Sequence, residues 1–252
     1  MNILRSIAII AAMALSLPVA ATAQEAPVRI AVIDSGVFDA PQREGVTVQR
    51  FDARDKDGIA AETEARWRGS HGTLVTSIIL DGTDAPLDIL AYRATRRCQI
   101  ILCEMDERAI ARAVRHAADN GAQLIQMSIY GRIHGELREA LEDVADRGIH
   151  LVLCAGNQGG MTRWMPLLRH NPVYVHVIGA LNTDGDVAKF SAHGGRWDEM
   201  IDYRPGVNLP ASDFQEASEV TGTSFSASLY TIELVAQMAP AGVQLAATST
   251  MP

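Results

Sequence analysis

Short apolar runs recur along the chain between residues 28 and 180. Five of them are seven or eight residues long: VRIAVID (28–34), LDILAYRA (87–94), AQLIQMSI (122–129), IHLVLCAG (149–156) and VYVHVIGA (173–180). Runs that are apolar at successive positions suit strands whose two faces are both covered by helices. The pattern therefore predicts five strands of a parallel sheet buried between two helical layers.

Helical spacing of apolar residues separates several of these runs. Residues 104–121 begin with acids, can end at Gly121 and place on one face Met105, Ala109, Ile110, Ala113, Val114 and Ala117. Residues 134–148 repeat the design with Leu137, Leu141 and Val144, ending at Gly148. The alternation predicts an α/β fold in three layers, a mainly parallel sheet with helices on both faces and right-handed crossovers. Such sheets carry their chemistry at the carboxyl ends of the strands.

The first residues are typical of a secretion signal. Arg5 supplies a positive charge, residues 6–17 are almost continuously apolar, and Ala21-Thr22-Ala23 fits the pattern cut by signal peptidase. The apolar run is shorter than the roughly 20 residues that a membrane span needs. We expect a signal peptide at residues 1–23 and a single mature domain at residues 24–252. The protein is then secreted or periplasmic, with no membrane anchor after signal cleavage.

The charge balance narrows the class of partner. The chain has 22 basic and 30 acidic residues and a net charge of −8, and loss of Arg5 with the signal makes the mature chain one unit more negative. Nucleic acids and anionic lipids both bind clustered Lys and Arg. We therefore expect neither nucleic acid nor a membrane surface as a partner.

Three cysteines remain in a chain expected to enter an oxidising compartment. Cys98 and Cys103 lie close together and are expected to form a disulfide, whereas Cys154 lies inside an apolar run and is expected to be a buried free thiol. Two cysteines without companion ligands do not supply a tetrahedral metal site.

Polar residues stand where the predicted strands and helices meet loops. Asp34, Ser128 and Asn157 lie at or just after strand ends, and His71 and Ser224 open apolar helical patterns. Each has an ordinary structural explanation taken alone, because Asp is frequent in turns and Ser is frequent at helix caps. Thr223, next to Ser224, is a further candidate for capping.

Taken together and in this order, the segments resemble the subtilisin-like serine peptidases over residues 28–238. The matching motifs are VIDSGV around Asp34, SHGTLVTSI around His71, CAGNQG around Asn157 and GTSFSA around Ser224, with weaker matches in QMSIYG and FSAHG. The chain order Asp, His, Ser is that of the family. The resemblance implies a subtilisin-like fold and a serine endopeptidase activity.

The chemistry of that family requires these residue types. A serine hydroxyl becomes nucleophilic when a base takes its proton, so Ser224 is the expected nucleophile and His71 the expected base. Asp34 would hold the imidazole and stabilise its cationic form. The amide of Asn157 and the backbone N–H of Ser224 are the candidate donors of an oxyanion hole.

The resemblance also implies how a peptide would be held. The substrate would add as a strand between two edges of the site through main-chain hydrogen bonds. The residues of these edges would be Ser128, Ile129, Tyr130, Gly131, Ala155 and Gly156.

Three departures from the family pattern qualify this interpretation. Ser228 occupies a position where proline is common, and Tyr130 stands where glycine is usual, so that its phenol would narrow or fill the specificity pocket. The family's folding propeptide is not evident between residue 23 and Asp34. Parallel folds form slowly because their contacts are long-range, so we expect either unaided folding or a separate chaperone or inhibitor polypeptide.

No cofactor is expected. Residues 52–64 contain Asp55, Asp57, Gly58 and Glu64 at the spacing of a calcium loop, but Ala53 occupies the first ligand position. Calcium is thus not supported by a complete motif, and the histidines show no metal-ligand spacing.

Several functions remain compatible with these motifs. The leading hypothesis is an exported serine endopeptidase that forms an acyl-enzyme on Ser224. A catalytically idle peptide-binding module is the alternative that Tyr130 and the missing propeptide favour, and a peptide ligase or cyclase would share the acyl-enzyme. A nucleotide-binding domain is disfavoured because AGNQGG is neither a phosphate-loop nor a dinucleotide fingerprint.

Overall fold

The structure, a computed structural model, describes 26–38, 40, 42–55, 58–61, 70–99, 102–129, 131 and 133–239. For 96–99 and 102–105 it describes the backbone alone. The proposed signal peptide lies outside the described residues.

Twelve strands and five α-helices make up the described chain. The strands are β1 (Val28–Asp34), β2 (Val46–Asp52), β3 (Ala60–Ala61), β4 (Leu87–Arg93), β5 (Thr95–Gln99), β6 (Leu102–Met105), β7 (Leu124–Met127), β8 (His150–Cys154), β9 (Val175–Leu181), β10 (Asp202–Pro205), β11 (Leu209–Ser212) and β12 (Ala217–Val220). The helices are α1 (His71–Asp81), α2 (Glu107–Asp119), α3 (Gly135–Asp146), α4 (Met165–His170) and α5 (Thr223–Met238), with a 3₁₀ helix at Gly195–Met200.

One eight-stranded sheet forms the centre of the fold, in the order β10-β9-β8-β7-β1-β4-β2-β3. All its neighbours pair in parallel except β3, which runs antiparallel to β2. The five strands predicted from the apolar runs are β1, β4, β7, β8 and β9. The predicted α/β class with a mainly parallel sheet is therefore confirmed.

Two hydrophobic layers cover the two faces of this sheet. Along β1, Ala31 and Ile33 belong to the layer that includes α2, α3 and α4, whereas Ile30 and Val32 belong to the layer that includes α1 and α5. All four side chains are at most 1% exposed. Burial on both faces explains why the strand is apolar at consecutive positions and not at alternate ones.

The helices predicted over 104–121 and 134–148 are present as α2 and α3, and the helical patterns that open at His71 and Ser224 are present as α1 and α5. Gly121 and Gly148 follow the ends of α2 and α3 with φ of +77° and +79°, backbone angles that favour glycine. The inclusion of Met105 in the helix predicted over 104–121 was wrong, because Met105 ends β6. The helix begins only after Asp106, whose carboxylate accepts a hydrogen bond from the backbone N–H of Ala109 at 3.2 Å.

The cysteines occupy two different environments. Cys98 and Cys103 face each other in register across the β5–β6 hairpin, but their side chains lie outside the described residues, so the disulfide stays a prediction. Cys154 ends β8 as a free thiol that is 2% exposed. Burial raises its pKa to about 12, more than the neighbouring hydroxyls of Ser224 and Thr223 lower it. A thiol in this state is chemically inert at neutral pH.

The described part of the chain contains neither a membrane-spanning helix nor a cluster of potential metal ligands. None of its helices is long and apolar enough to cross a bilayer. No cluster of three or more His, Cys, Asp or Glu side chains suited to a metal ion occurs among these residues. Asp57 and Glu64 of the incomplete calcium loop lie outside them.

A chain of polar side chains connects α5 to the sheet away from the strand ends discussed below. Nδ1 of His150 lies 2.9 Å from Nε2 of His176, whose Nδ1 lies 3.0 Å from the Tyr230 hydroxyl. Asp202 on β10 adjoins Tyr230, and beside it the guanidinium of Arg204 pairs with Glu233 on α5. Burial, and then the proximity of His150, lower the pKa of His176 to about 4.

This cluster should make the fold sensitive to acid. The unfolded chain binds a proton at His176 near pH 6.5, whereas the folded chain binds it only near pH 4, so stability falls as pH drops from 6.5 towards 4. A shift of this size corresponds to roughly 2 kcal/mol between pH 6.5 and 4.5. Urea unfolding of Ser224→Ala protein should show this loss, and His176→Gln in the same background should show a flatter pH profile. Parallel profiles would contradict the assignment.

Candidate active site

Asp34 lies at the carboxyl end of β1, the central strand of the sheet, and is 1% exposed. Its Oδ1 accepts a hydrogen bond from the backbone N–H of Ser35 at 2.6 Å. Its backbone oxygen accepts from the N–H of Ala94 at 2.8 Å, which ties the end of β1 to the segment after β4. One contact to the carboxylate and one to the backbone therefore fix Asp34 independently of the other groups of the site.

His71 is the first residue of α1 and lies against Asp34. Its Nδ1 is 2.9 Å from both carboxylate oxygens. Burial lowers the pKa of His71, but the charge of Asp34 and the hydrogen bond to it outweigh burial and raise the pKa above its ordinary value of 6.5. If Nδ1 donates its proton to Asp34, Nε2 is left as the basic nitrogen.

Close packing of α1 against the end of β1 explains the glycine next to His71. A Cβ at Gly72 would lie 2.5 Å from the backbone oxygen of Gly36 and 3.0 Å from the Cβ of Asp34. The backbone N–H of Gly72 also donates a hydrogen bond to the hydroxyl oxygen of Ser35 at 3.0 Å. Gly72 thus makes room for the carboxylate segment, and the His–Asp contact depends on that room.

Ser224 is the second residue of α5 and is 6% exposed. The adjacent ring of Phe225 packs against the His71 ring with 5.4 Å between centroids, so α5 begins beside the imidazole. In the part of the chain described, no hydrogen bond joins His71 to Ser224. Catalytic hydrogen bonds are often long before substrate binds and shorten in the complex.

Asn157 is oriented by a residue whose role the motif analysis missed. Its Oδ1 accepts hydrogen bonds from both the backbone N–H and the hydroxyl of Thr223, each at 2.9 Å. Thr223 therefore does not cap α5, which begins after Gly222 without a side-chain cap. Because the oxygen of Asn157 is engaged, its NH₂ group remains as the donor. Gly222 has φ of +150°, and a Cβ there would come within 3.2 Å of that nitrogen.

The backbone N–H of Ser224 is a second donor at this point. Over the described residues it makes no hydrogen bond to a backbone or side-chain acceptor, as expected for the first turn of a helix. The neighbouring N–H groups of Thr223 and Phe225 are both engaged, by Asn157 and by the backbone oxygen of Gly222. The first turn of α5 thus presents one available N–H, at the residue expected to be the nucleophile.

A buried polar network connects the first turn of α5 to strand β7 and the residues after it. The amide nitrogen of Gln126 on β7 donates to the hydroxyls of Ser228 and Ser128 at 3.0 and 3.3 Å. Ser128 donates to the backbone oxygen of Ser224 at 3.2 Å, and Ser228 donates to the backbone oxygen of Val75 at 3.2 Å. The helix continues unbroken through Ser228. A single amide inside the otherwise apolar run LIQM was the sequence signal for this network.

The residues expected to hold a peptide differ in how far they are buried. The Ile129 side chain is 2% exposed and belongs to the core, and Ala155 is fully buried. Gly156 has φ of +110° and donates its N–H to the Thr223 hydroxyl at 3.2 Å. Gly131 is half-buried. Tyr130 lies outside the described residues, so its effect on a specificity pocket stays a prediction.

The chain is similar in sequence to a known family and to a characterised proteinase. The model of the subtilase family matches residues 26–231. A thermophilic serine proteinase of Bacillus sp. (strain AK1) is 28% identical over 205 residues, which are 78% of this chain and 46% of that protein. The chain thus spans about half the length of that relative.

Two solved structures share the architecture. Sphericase superposes with a TM-score of 0.69 at 22% identity, over 85% of this chain and 78% of that one. The PatG macrocyclase in complex with peptide superposes with a TM-score of 0.60 at 18% identity, over 86% and 79%. At these identities the likeness establishes the fold alone.

The family match extends from just before β1 into α5 and so contains the whole central sheet and all four motifs. It confirms the resemblance drawn from the motifs. The chain belongs to the subtilase family.

Proposed function

We propose that this protein is an exported serine endopeptidase that hydrolyses peptide bonds through an acyl-enzyme on Ser224. The observation that carries the proposal is the buried contact of Asp34 with His71 at the end of the central strand, beside the first turn of the helix that bears Ser224. Membership of the subtilase family and similarity to a serine proteinase support the reaction class. The apolar segment within residues 1–23 supports export.

In the proposed reaction, the imidazole of His71 takes the proton of the Ser224 hydroxyl as the oxygen attacks the scissile carbonyl. The ring becomes cationic, and the Asp34 carboxylate, already 2.9 Å from Nδ1, stabilises that charge. His71 then gives the proton to the departing amine, which leaves an ester on Ser224. Water then attacks this ester while His71 takes a proton from it. The carboxylic acid product is released, and Ser224 regains its proton from His71.

The oxyanion of each tetrahedral intermediate would be met by two donors. One is the Asn157 NH₂ group, which Thr223 holds in orientation through the Asn157 oxygen, and the other is the free N–H of Ser224. Donors fixed in advance stabilise the developing charge without a cost of reorganisation at the moment of reaction.

An activity-based probe tests the proposal directly. A fluorophosphonate reacts with a serine only when a neighbouring base activates it, so the folded protein should be labelled and Ser224→Ala should not. Labelling that survives in Ser224→Ala would place the reactive residue elsewhere. A folded wild-type protein that resists the probe but binds peptides would instead be an idle peptide-binding module. Mass spectrometry of the products separates hydrolysis from ligation or cyclisation, which share the acyl-enzyme.

The oxyanion assignment has its own test. Asn157→Ala should lower kcat by about 10² to 10³ with little change in KM, because the lost donor acts on the transition state. Thr223→Val should produce a smaller loss of kcat, since it removes one of the two hydrogen bonds that orient the Asn157 amide. A loss of only a few-fold at Asn157 would exclude it as an oxyanion donor.

A further inference from the structure

An open cavity of about 700 Å³ is lined by Ile133, His134, Trp197 and residues within 161–169. We call it the basic cleft. Its apolar part is formed by Met161, Met165 and Pro166, and its polar part includes His134, Arg169 and Trp197. The volume lies within the range typical of ligand-binding pockets. No acidic side chain lines the cleft among the described residues.

The basic cleft lies close along the chain to both segments that are proposed to hold a peptide. Ile133, which lines it, lies two residues after Gly131, and Met161 lies four residues after Asn157. Four residues span at most about 14 Å. A peptide bound at Ser224 could therefore reach the cleft with a side chain within about four residues of the scissile bond.

Two arginines lie over the Trp197 ring, and one of them, Arg169, lines the cleft. The guanidinium of Arg169 lies 4.7 Å from the centroid of Trp197, and that of Arg196 lies 4.0 Å from it. Both arginine side chains are exposed, and within the described chain neither forms an ion pair with a carboxylate. The neighbouring Asp198 is engaged by the N–H of Gly194 and the hydroxyl of Tyr203.

Stacking on the indole prepares these cations for a ligand. A guanidinium lying over an aromatic ring is restrained by the cation–π attraction, yet its N–H groups along the edge remain available. That fork matches the two oxygens of a carboxylate. The cluster is opposite in sign to the net charge of the chain, which is −8.

We propose that the basic cleft binds an acidic side chain of the peptide substrate, on the acyl side and within about four residues of the scissile bond. Arg169, held against Trp197, pairs with the carboxylate, and the apolar part of the cleft covers its methylene groups. The inference rests on the proposed function, since it names the class of substrate that this peptidase prefers.

The test uses peptide pairs that differ only by Glu or Gln, with the pair moved through each of the four acyl-side positions. With wild-type protein, one position should show about a tenfold higher kcat/KM for the Glu peptide, and added salt should reduce that ratio. Arg169→Gln should abolish the ratio by lowering kcat/KM for the Glu peptide towards that for the Gln peptide. Arg138→Gln, which removes an exposed arginine paired with Glu142 on α3, is the matched control and should keep it.

Binding to Ser224→Ala protein separates this inference from the proposed activity. Calorimetry should give a lower Kd for the Glu peptide than for the Gln peptide, and Arg169→Gln should equalise the two. Equal values with Arg169 intact, or a preference that persists in Arg169→Gln, would overturn the role of the cleft even if the protein is an active peptidase. If Ser224→Ala protein prefers the Glu peptide but wild-type protein hydrolyses neither peptide, the role of the cleft stands and the peptidase activity is rejected.

Discussion

Replacing Ser224 with alanine is expected to lower kcat by about 10⁶, the loss established for the corresponding change in subtilisin itself. Alanine retains the helical start and the available backbone N–H but removes the only atom that could form the acyl-enzyme. His71→Ala should cost about as much, because the hydroxyl is a poor nucleophile without a base. The double variant should be no slower than either single variant, since nucleophile and base act as one unit. Steady-state kinetics on a chromogenic peptide measure all three.

The same helix supplies a matched control. Ser226 lies two residues further along α5, is fully buried, and its hydroxyl has no hydrogen-bond partner within the described chain. Ser226→Ala should therefore leave kcat within a few-fold of wild type. If Ser226→Ala and Ser224→Ala lost activity alike, the loss would reflect damage to the helix and not removal of a nucleophile.

Asp34→Asn should have the second-largest effect, a loss of about 10⁴ in kcat, the scale seen when the corresponding aspartate of a serine protease triad becomes an amide. The carboxylate accepts a hydrogen bond from Nδ1–H of His71, whereas an amide can offer a donor to that nitrogen and favour the wrong tautomer. The residual activity should also show a changed pH profile. Asp34 is what raises the His71 pKa against burial, so its removal should shift the acid limb of kcat/KM to lower pH.

The direction of that shift is diagnostic. In wild type, activity falls as pH drops through the raised pKa of His71, because the base becomes protonated. A second Asp–His pair serves as a control: Asp146 lies 3.0 Å from His170 at the exposed surface. Asp146→Asn should leave both kcat and the acid limb unchanged. An acid limb that stays in place in Asp34→Asn would show that another group sets it.

The sequence predicted most of the buried sheet, the helices α2 and α3, and the helical segments that open at His71 and Ser224. The strands β1, β4, β7, β8 and β9 were visible because burial on both faces requires consecutive apolar residues. The prediction failed at Met105, where the apolar helical spacing continued backwards past the cap formed by Asp106. Strands β2 and β10 were missed because they are short or only partly buried, and their positions depend on pairing with distant segments.

The site was predicted from motifs, and its supporting contacts were not. Asp34, His71, Asn157 and Ser224 could each be named because a short motif surrounds each of them. The hold of Thr223 on Asn157 and of Gln126 on Ser228 joins residues that are 66 and 102 positions apart. Local spacing carries no information on such pairs, because they are brought together by the order of strands in the sheet.

The sequence by itself determined the class of fold, the family and the residues of the candidate triad, because periodic burial and compact motifs are local properties of a chain. Only the tertiary structure decided that Asp34 holds both oxygens towards His71, that Thr223 orients Asn157, and that residues within 161–169 form a cleft with Ile133, His134 and Trp197. These features require segments that are distant in the sequence to lie at the same edge of the sheet, and long-range packing determines that arrangement.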